Sequence, residues 1–519
     1  MRILNSTQMR KVEERAFKSG ISYYQMIKEA GEKCTEAIVG IIEPGKVEDE
    51  SFLILCGNGN NAGDGFVIAQ KLRYLGADVK VLLLKGQPKS KDAMRHFENM
   101  QMSKTPVIEL NKDPKAINPL FESSTVIVDC IFGIGFNPKL KISAEIANIF
   151  KAVNKYVGTV FSVDLPSGLA SDEGSTERLA IKADYTFALS NYKPAHILKP
   201  AALFCGQVIK LDLGFSPFIS KDGQEIFALN EDYIKSLFKP ISPMAHKGDF
   251  GRLYSVCGSY KMPGAAVFAA KAAVLSGTGL VTAVFPKTAY SAIASGLDEP
   301  TFLPLEASAD GTFNSEGFPK LLDAASNANA LLVGCGIGNN SETSAFVEQC
   351  LQKIKCPMVI DADALNCLAS KISLLRGSKA VITPHLGEMS KLCAMTVEEI
   401  KKNKIQIARD FAKEYGLTLV LKGANTLVAH SDGRVAINTT GNPGLATGGS
   451  GDVLAGLIAS FLAQGMKTEE AAQAGVFIHG LAADKAVENY SMRGLTPSRL
   501  LEFIPKTLST FESLELFQV

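Results

Sequence analysis

Residues 441–452 read Gly-Asn-Pro-Gly-Leu-Ala-Thr-Gly-Gly-Ser-Gly-Asp. Glycines let backbone N–H groups converge on an anion, and a helix N-terminus adds positive potential. A helix is predicted right after this run, because Val453, Leu454, Leu457, Ile458, Phe461 and Leu462 recur at helical spacing. The loop therefore suits phosphate oxygens, with the amides of Gly448 to Gly451 as the anion hole. Asp452 stands out, since a carboxylate beside an anion hole is costly unless it has a chemical task. Accepting the proton of a hydroxyl that attacks, or receives, a phosphoryl group is such a task. The competing reading is a Gly-rich turn whose Asp caps the helix.

Further pieces precede this loop in the second half. His246-Lys247-Gly248-Asp249-Phe250-Gly251 opens a strand. Gly334-Cys335-Gly336-Ile337-Gly338, Asp361-Ala362-Asp363-Ala364-Leu365-Asn366, Thr383-Pro384-His385-Leu386-Gly387-Glu388-Met389 and Lys422-Gly423-Ala424-Asn425-Thr426 each follow one. The G-x-x-x-x-G-K-[ST] pattern is absent, which excludes a P-loop enzyme. Lys422 can meet phosphate oxygens, and Asn425 and Thr426 can hydrogen-bond them. Taken singly, His385 reads as a structural histidine and Lys422 as a solvated charge. Their order, each in a loop after a strand, argues for a shared site.

The first half carries Gly57-Asn58-Gly59-Asn60-Asn61-Ala62-Gly63-Asp64-Gly65. Its first six residues fit a form of the dinucleotide fingerprint. That fingerprint wants an acid near the end of the next strand, and here Leu84 is followed by Lys85 and Gly86. The loop suits a polar ligand, and a cation, better than a bare pyrophosphate. Asp129 and Asp164 also end strands, before Cys130-Ile131-Phe132-Gly133-Ile134-Gly135 and Leu165-Pro166-Ser167-Gly168. Carboxyl ends of parallel strands form the binding crevice, so Asn61, Asp129 and Asp164 can converge there. The alternative is that each aspartate only caps its loop.

These residues need parallel sheets to hold them. Phe52–Cys56 reads as a buried strand, 57–65 as a loop, Phe66–Leu75 as a helix with Gly76 as C-cap, and Val79–Leu84 as the next strand. This βαβ unit implies a parallel sheet. Further strands are predicted at 126–129, 159–164 and 185–189. The second half repeats the alternation, with strands at 252–258, 280–285, 330–334, 358–361, 380–383 and 418–421 and an Ala-rich helix over 264–276. The domain junction falls between Pro217 and Gln224. Both halves are expected to be α/β domains.

At 519 residues the chain exceeds one core, and two domains of roughly 200–300 residues are expected. The net charge of +1 argues for neither nucleic acid nor anionic membrane. No apolar run reaches the ~18 residues of a membrane span, and residues 1–6 lack the apolar core of a signal peptide. Ten scattered cysteines show no zinc spacing and read as buried reduced thiols in a cytoplasmic protein. Six histidines without a His-Glu-x-x-His motif argue against a transition-metal site.

The segments 60–67, 128–135 and 163–168 closely resemble the NAD(P)H-hydrate epimerase domain, over about residues 1–217. The resemblance implies a Rossmann-like fold that equilibrates the R and S forms of hydrated NADH and NADPH. By motif position, Asn60, Asn61, Ala62, Gly63, Asp64, Gly133, Ile134, Gly135 and Asp164 would contact the hydrated nucleotide. Asn61, Asp129 and Ser167 would hold K+, and Asp164 is the candidate acid/base. Ala62 stands where the family usually has Gly, which demands a negative φ there. Ala170 replaces a common Asp.

The second set strongly resembles the ribokinase-like NAD(P)H-hydrate dehydratase domain, over about residues 226–519. The resemblance implies that Ala265, Gly338, His385 and Asp452 contact the hydrated nucleotide. Lys422, Gly423, Ala424, Asn425, Thr426 and Gly451 would bind ADP or ATP, the phosphoryl donor, accompanied by Mg2+. Asp452 is the candidate base. Cys335, Ile337 and Leu386 depart from the usual pattern. The expected whole is a fused cofactor-repair enzyme acting on small molecules, a homo-oligomer. The rival is a ribokinase-like small-molecule kinase with a non-catalytic N-terminal binding domain, which would leave a stable phosphorylated product.

Overall fold

The computed structural model describes residues 1–42, 45–112, 117–137, 142–175, 179–220 and 225–514. The chain divides into two units, Arg2–Asp222 and Gly223–Val519, with Met1 grouped with the second. Residues 221–224 of the expected junction, and the last five residues of the expected second domain, lie outside the described residues.

In the first unit seven parallel strands form a sheet. They are β1 (Ser51–Cys56), β2 (Asp78–Leu83), β3 (Val107–Glu109), β4 (Val126–Cys130), β5 (Thr159–Val163), β6 (Tyr185–Leu189) and β7 (Gln207–Leu211). Their order is β3-β2-β1-β4-β5-β6-β7. Successive side chains of a strand point to opposite faces. Phe52, Ile54 and Cys56 thus join one buried cluster, and Leu53 and Leu55 another. A sheet buried on both faces explains why β1 is apolar throughout. The strand order reverses between β1 and β4, and a binding crevice opens at such a switch point.

The stretch expected as a loop is largely helical. The helix spans Asn60–Tyr74, with Gly59 as its N-cap. The glycines here allow close approach rather than unusual φ. A Cβ at Gly63 would lie 2.9 Å from Ile27 Cγ2, and one at Gly65 would lie 2.9 Å from Cys130 Cβ. Ala62 falls inside the helix and so meets its demand for a negative φ.

The second unit holds β8 (Ile226–Ala228), β9 (Arg252–Val256), β10 (Leu280–Pro286), β11 (Thr301–Leu305), β12 (Ala330–Val333), β13 (Met358–Ile360), β14 (Ala380–Ile382), β15 (Thr418–Leu421), β16 (Leu427–Ala429) and β17 (Val435–Ile437). They run in the order β8-β17-β16-β15-β14-β13-β12-β9-β10-β11. Pairing is parallel except along β15-β16-β17, which is antiparallel. The order switches between β9 and β12, so the loops after β9, β12, β13, β14 and β15 share one end of the sheet. Strands β8, β11, β16 and β17 were not expected from the sequence.

The helix after the glycine run spans Ser450–Ala463, three residues earlier than its apolar periodicity suggests. Its N-cap is Gly449, in the left-handed region at φ +93°. Asp452 is therefore a first-turn residue and not the cap. This helix packs on the Pro263–Leu275 helix so closely that a Cβ at Gly456 would lie 2.2 Å from the Ala269 carbonyl oxygen.

Candidate active sites

In the first unit, Asp129 ends β4 and is fully buried. Its carboxylate accepts from Ser167 Oγ at 2.6 Å, Ser167 N at 2.8 Å, Ser162 Oγ at 3.0 Å and Ile131 N at 3.2 Å. Burial pushes it up to about 6, and these bonds pull the other way. Ser167 Oγ in turn accepts from Phe132 N at 2.9 Å, tying the two strand-end loops together.

Asp164 follows β5 in the left-handed region at φ +67°, an unusual conformation for a non-glycine residue. Its carboxylate accepts from Lys193 Nζ at 2.5 Å and Ile134 N at 3.0 Å. Lys193 is itself buried, 1% exposed, and sequence reasoning missed it. The available signal was a lysine just past β6, ahead of a helix opened by Pro194. His196 Nδ1 accepts from Lys193 N, so Nε2 carries the proton and donates to the Asp164 carbonyl at 2.7 Å. Burial and Lys193 push His196 down to about 4, keeping it neutral.

Gly133 sits between Asn61 and Asp164. A Cβ there would lie 3.0 Å from Asp164 Oδ2 and 3.2 Å from Asn61 Oδ1. The structure therefore brings these two residues to one loop. A cavity of about 480 Å³ lies here, lined by Asn60, Asn61, Asp64, Gly133, Ile134, Gly135 and Asp164, and also by Glu13 and Lys193. Ala62 and Gly63 face the core and do not line it. Asp64 is pushed well above the usual carboxylate range by burial, then by Asp164 and Glu13. Asn60 Oδ1 accepts from Ser90 Oγ at 2.7 Å. Asn61 Nδ2 is buried and has no hydrogen-bond partner among the described residues.

In the second unit, Lys422 Nζ donates to Asp361 Oδ1 at 2.7 Å. Cys335, Asp361 and Asp452 place one ligand-type atom each within 4.8 Å of one another. Burial, then the charge of Asp361, pushes Asp452 up to about 7. A Cβ at Gly451 would lie 3.7 Å from Lys422 Nζ, so the helix N-terminus and the lysine meet. Backbone amides in this first turn lack intrahelical acceptors. Ala362, between Asp361 and Asp363, has φ +48°, a strained turn that sets the two aspartates.

Other expected residues take separate roles. Gly338 N donates to Asp363 Oδ2 at 2.9 Å. A Cβ at Gly336 would lie 2.7 Å from that of Ala265, which puts Ala265 against the same loop. His385 Nδ1 accepts from the amides of Gly387 and Glu388, leaving Nε2 as the proton-bearing nitrogen on an exposed ring. Lys422 N bonds to the Pro384 carbonyl, which places the His385 and Lys422 loops side by side. Gly423 and Ala424 are exposed. Asn425 is buried, its amide donating to the Asn438 carbonyl at 3.3 Å, and Thr426 Oγ1 bonds back to Gly423.

Two residues bracing the glycine run were missed. Asp484 accepts from Gly441 N at 2.7 Å and Asn442 Nδ2 at 2.9 Å. His479 Nε2 donates to the Ser450 carbonyl at 2.9 Å. Both lie on the Thr468–Val487 helix. No spacing rule links that helix to the loop.

A family model described as NAD(P)H-hydrate dehydratase matches residues 253–506, and one described as YjeF-related protein N-terminus matches residues 23–195. The chain is 34% identical over 497 residues to the bifunctional NAD(P)H-hydrate repair enzyme Nnr of Moorella thermoacetica, covering 94% of this chain and 92% of that one. It is 32% identical over 499 residues to the enzyme of the same name from Thermofilum pendens, covering 95% and 94%. Among solved structures, ADP/ATP-dependent NAD(P)H-hydrate dehydratase from Bacillus subtilis, crystallised with ATP and Mg2+, is 26% identical with a TM-score of 0.49. That likeness covers 56% of this chain and 100% of that one.

Proposed function

The chain belongs to the bifunctional NAD(P)H-hydrate repair enzymes, and on that footing we propose how its two units share the work. Residues 1–217 interconvert the R and S forms of hydrated NADH and NADPH. Residues 226–519, a ribokinase-like unit, dehydrate the S form at the expense of ADP or ATP. The products are NAD(P)H, phosphate and AMP or ADP.

The chemistry follows from the leaving group. Hydroxide leaves C6 of the hydrated ring poorly. Phosphorylating that hydroxyl makes a good leaving group, which the ring-nitrogen lone pair expels as phosphate. The C=N cation so formed then loses a proton from the neighbouring ring carbon, C5, and the C5=C6 double bond of NAD(P)H is restored. Asp452 takes the hydroxyl proton, and the glycine-run amides with Lys422 steady the transferring phosphoryl. Gly423, Ala424, Thr426 and Gly451 line the donor's phosphates, and Asn425 braces their turn from within. Ala265, Gly338 and His385 contact the hydrated nucleotide. The observation carrying this reading is Asp452 itself. It is poised at about 7 in the first turn of a helix entered through glycines. A base works best with its proton affinity near the working pH.

Asn61, Asp129 and Ser167 would hold K+ in the first unit. Their oxygens suit a hard cation, and the buried unpartnered end of the Asn61 amide fits one, since its oxygen and nitrogen can exchange places. The ion would neutralise the buried Asp129 carboxylate and stiffen the loops that Ser167 joins. Mg2+ would accompany the nucleotide phosphates. Asp361 offers oxygen donors for it, which leaves Asp452 as the base, while the Cys335 thiol does not suit it.

Ten free cysteines, eight of them buried, fit a reducing compartment such as the cytoplasm. Among the described residues no helix is long and apolar enough to cross a membrane. Relatives that span both units under one repair name disfavour the plain kinase. The test supplies S-form hydrated NADH with ADP or ATP. Phosphate release matched by rising NADH absorbance supports the repair reading. A stable phosphorylated product would support the kinase instead.

A further inference from the structure

C6 can be inverted if its hydroxyl leaves from one face and returns on the other. The C6–O bond breaks as the ring-nitrogen lone pair forms a C=N bond, and the departing oxygen takes a proton and leaves as water. Water then adds to the opposite face, the C=N pair returns to nitrogen, and the adding water gives up a proton. One acid and one base serve the two faces and exchange roles with direction.

Two carboxyl groups from different elements line the cavity in contrasting surroundings. Asp164, at the end of β5, has an ammonium and an amide as donors. Glu13, on the Ser6–Lys18 helix, lines the same cavity. Its carboxyl hydrogen-bonds to none of the described residues.

Resting on the epimerase reading above, we propose that Glu13 is the second proton-transfer group, protonating the departing hydroxyl while Asp164 takes the proton of the returning water. Burial pushes Glu13 up to about 7. The Asp164 charge adds to this, and Lys193 and Arg10 oppose it. Asp64, the remaining carboxyl nearby, is pushed well above the usual carboxylate range by burial, then by Asp164 and Glu13. Pairs of carboxyl groups driven apart by their environments are a recurring acid/base arrangement.

The experiment follows conversion of pure R-form hydrated NADH to the S form, by chromatography and without nucleotide, in the full chain and in Glu13→Gln and Glu13→Asp. Glu13 must carry its proton, so the wild-type rate should fall as pH rises through about 7. Glu13→Gln should lower kcat by about 10²–10⁴-fold with KM little changed, and lose that alkaline limb. Glu13→Asp should restore part of both. In the wild type, each inversion should incorporate one solvent oxygen, read with 18O water. A retained alkaline limb in Glu13→Gln, a rise in KM alone, or inversion without oxygen exchange would overturn the proposal. A wild-type chain that does not speed inversion would instead refute the epimerase reading.

Discussion

Lys422 Nζ lies 2.7 Å from Asp361 Oδ1, and Asp361 in turn crowds Asp452 within a cluster no wider than 4.8 Å. The lysine thus pairs with one carboxylate, and the charge of that carboxylate, after burial, pushes the other up to about 7. A neutral-range base is built from two acids and one cation.

The pH dependence of dehydration should show this. Asp452 acts in its deprotonated form, so the rate should rise with pH through about 7. Replacing Asp361 by Asn removes a charge that lifts Asp452, so the acid limb should move to lower pH. Asp452→Asn should cost about 10²–10⁴-fold in kcat while nucleotide still binds. An unchanged limb in Asp361→Asn, or near wild-type turnover in Asp452→Asn, would contradict the assignment.

The Lys193–Asp164 pair should matter to stability as well as turnover. Both side chains are buried, at 1% and 8% exposure. Lys193→Met strands a buried carboxylate and should cost about 3–5 kcal/mol of unfolding free energy. Adding Asp164→Asn removes the stranded charge and should restore most of that loss, though not epimerisation. Urea unfolding of the wild type and the two variants reads this directly, and equal stabilities would disprove the pairing.

Much of this was legible in the sequence. Strand-ending Asp129, Asp164 and Asp361 and the run to Asp452 announce themselves, because apolar strands stop at a charge. The helical start at Asn60 was not legible, since glycines that permit helix packing look like loop glycines. Lys193, His479 and Asp484 were missed because their partners lie far away in sequence, 29 residues in the case of Lys193 and Asp164, and Glu13 because the cavity it lines is built from segments far from its helix. The short antiparallel strands β16 and β17 have three residues each, too few for a period to show.

Epimerisation should depend on potassium. With Asn61, Asp129 and Ser167 as oxygen donors, exchanging K+ for a bulky organic cation should slow inversion of the hydrated nucleotide. Asp129→Ala should abolish the potassium response and weaken substrate binding. Equal rates in both cations would remove the ion site.

The two activities should separate. Residues 1–222 expressed alone should invert hydrated NADH without any nucleotide, because every residue named for that reaction lies in the first unit. Complete loss of inversion in a soluble fragment would move the boundary or the assignment.

The central claim, two sites repairing both epimers, is tested most directly with pure R-form hydrated NADH and ADP or ATP. NADH absorbance is followed alongside the uncatalysed epimerisation control. Full recovery, faster than the control and slowed to the control rate by Asp164→Asn, is the expected result. Recovery of the S form at full speed, with the R form recovered no faster than it epimerises unaided, would contradict the account.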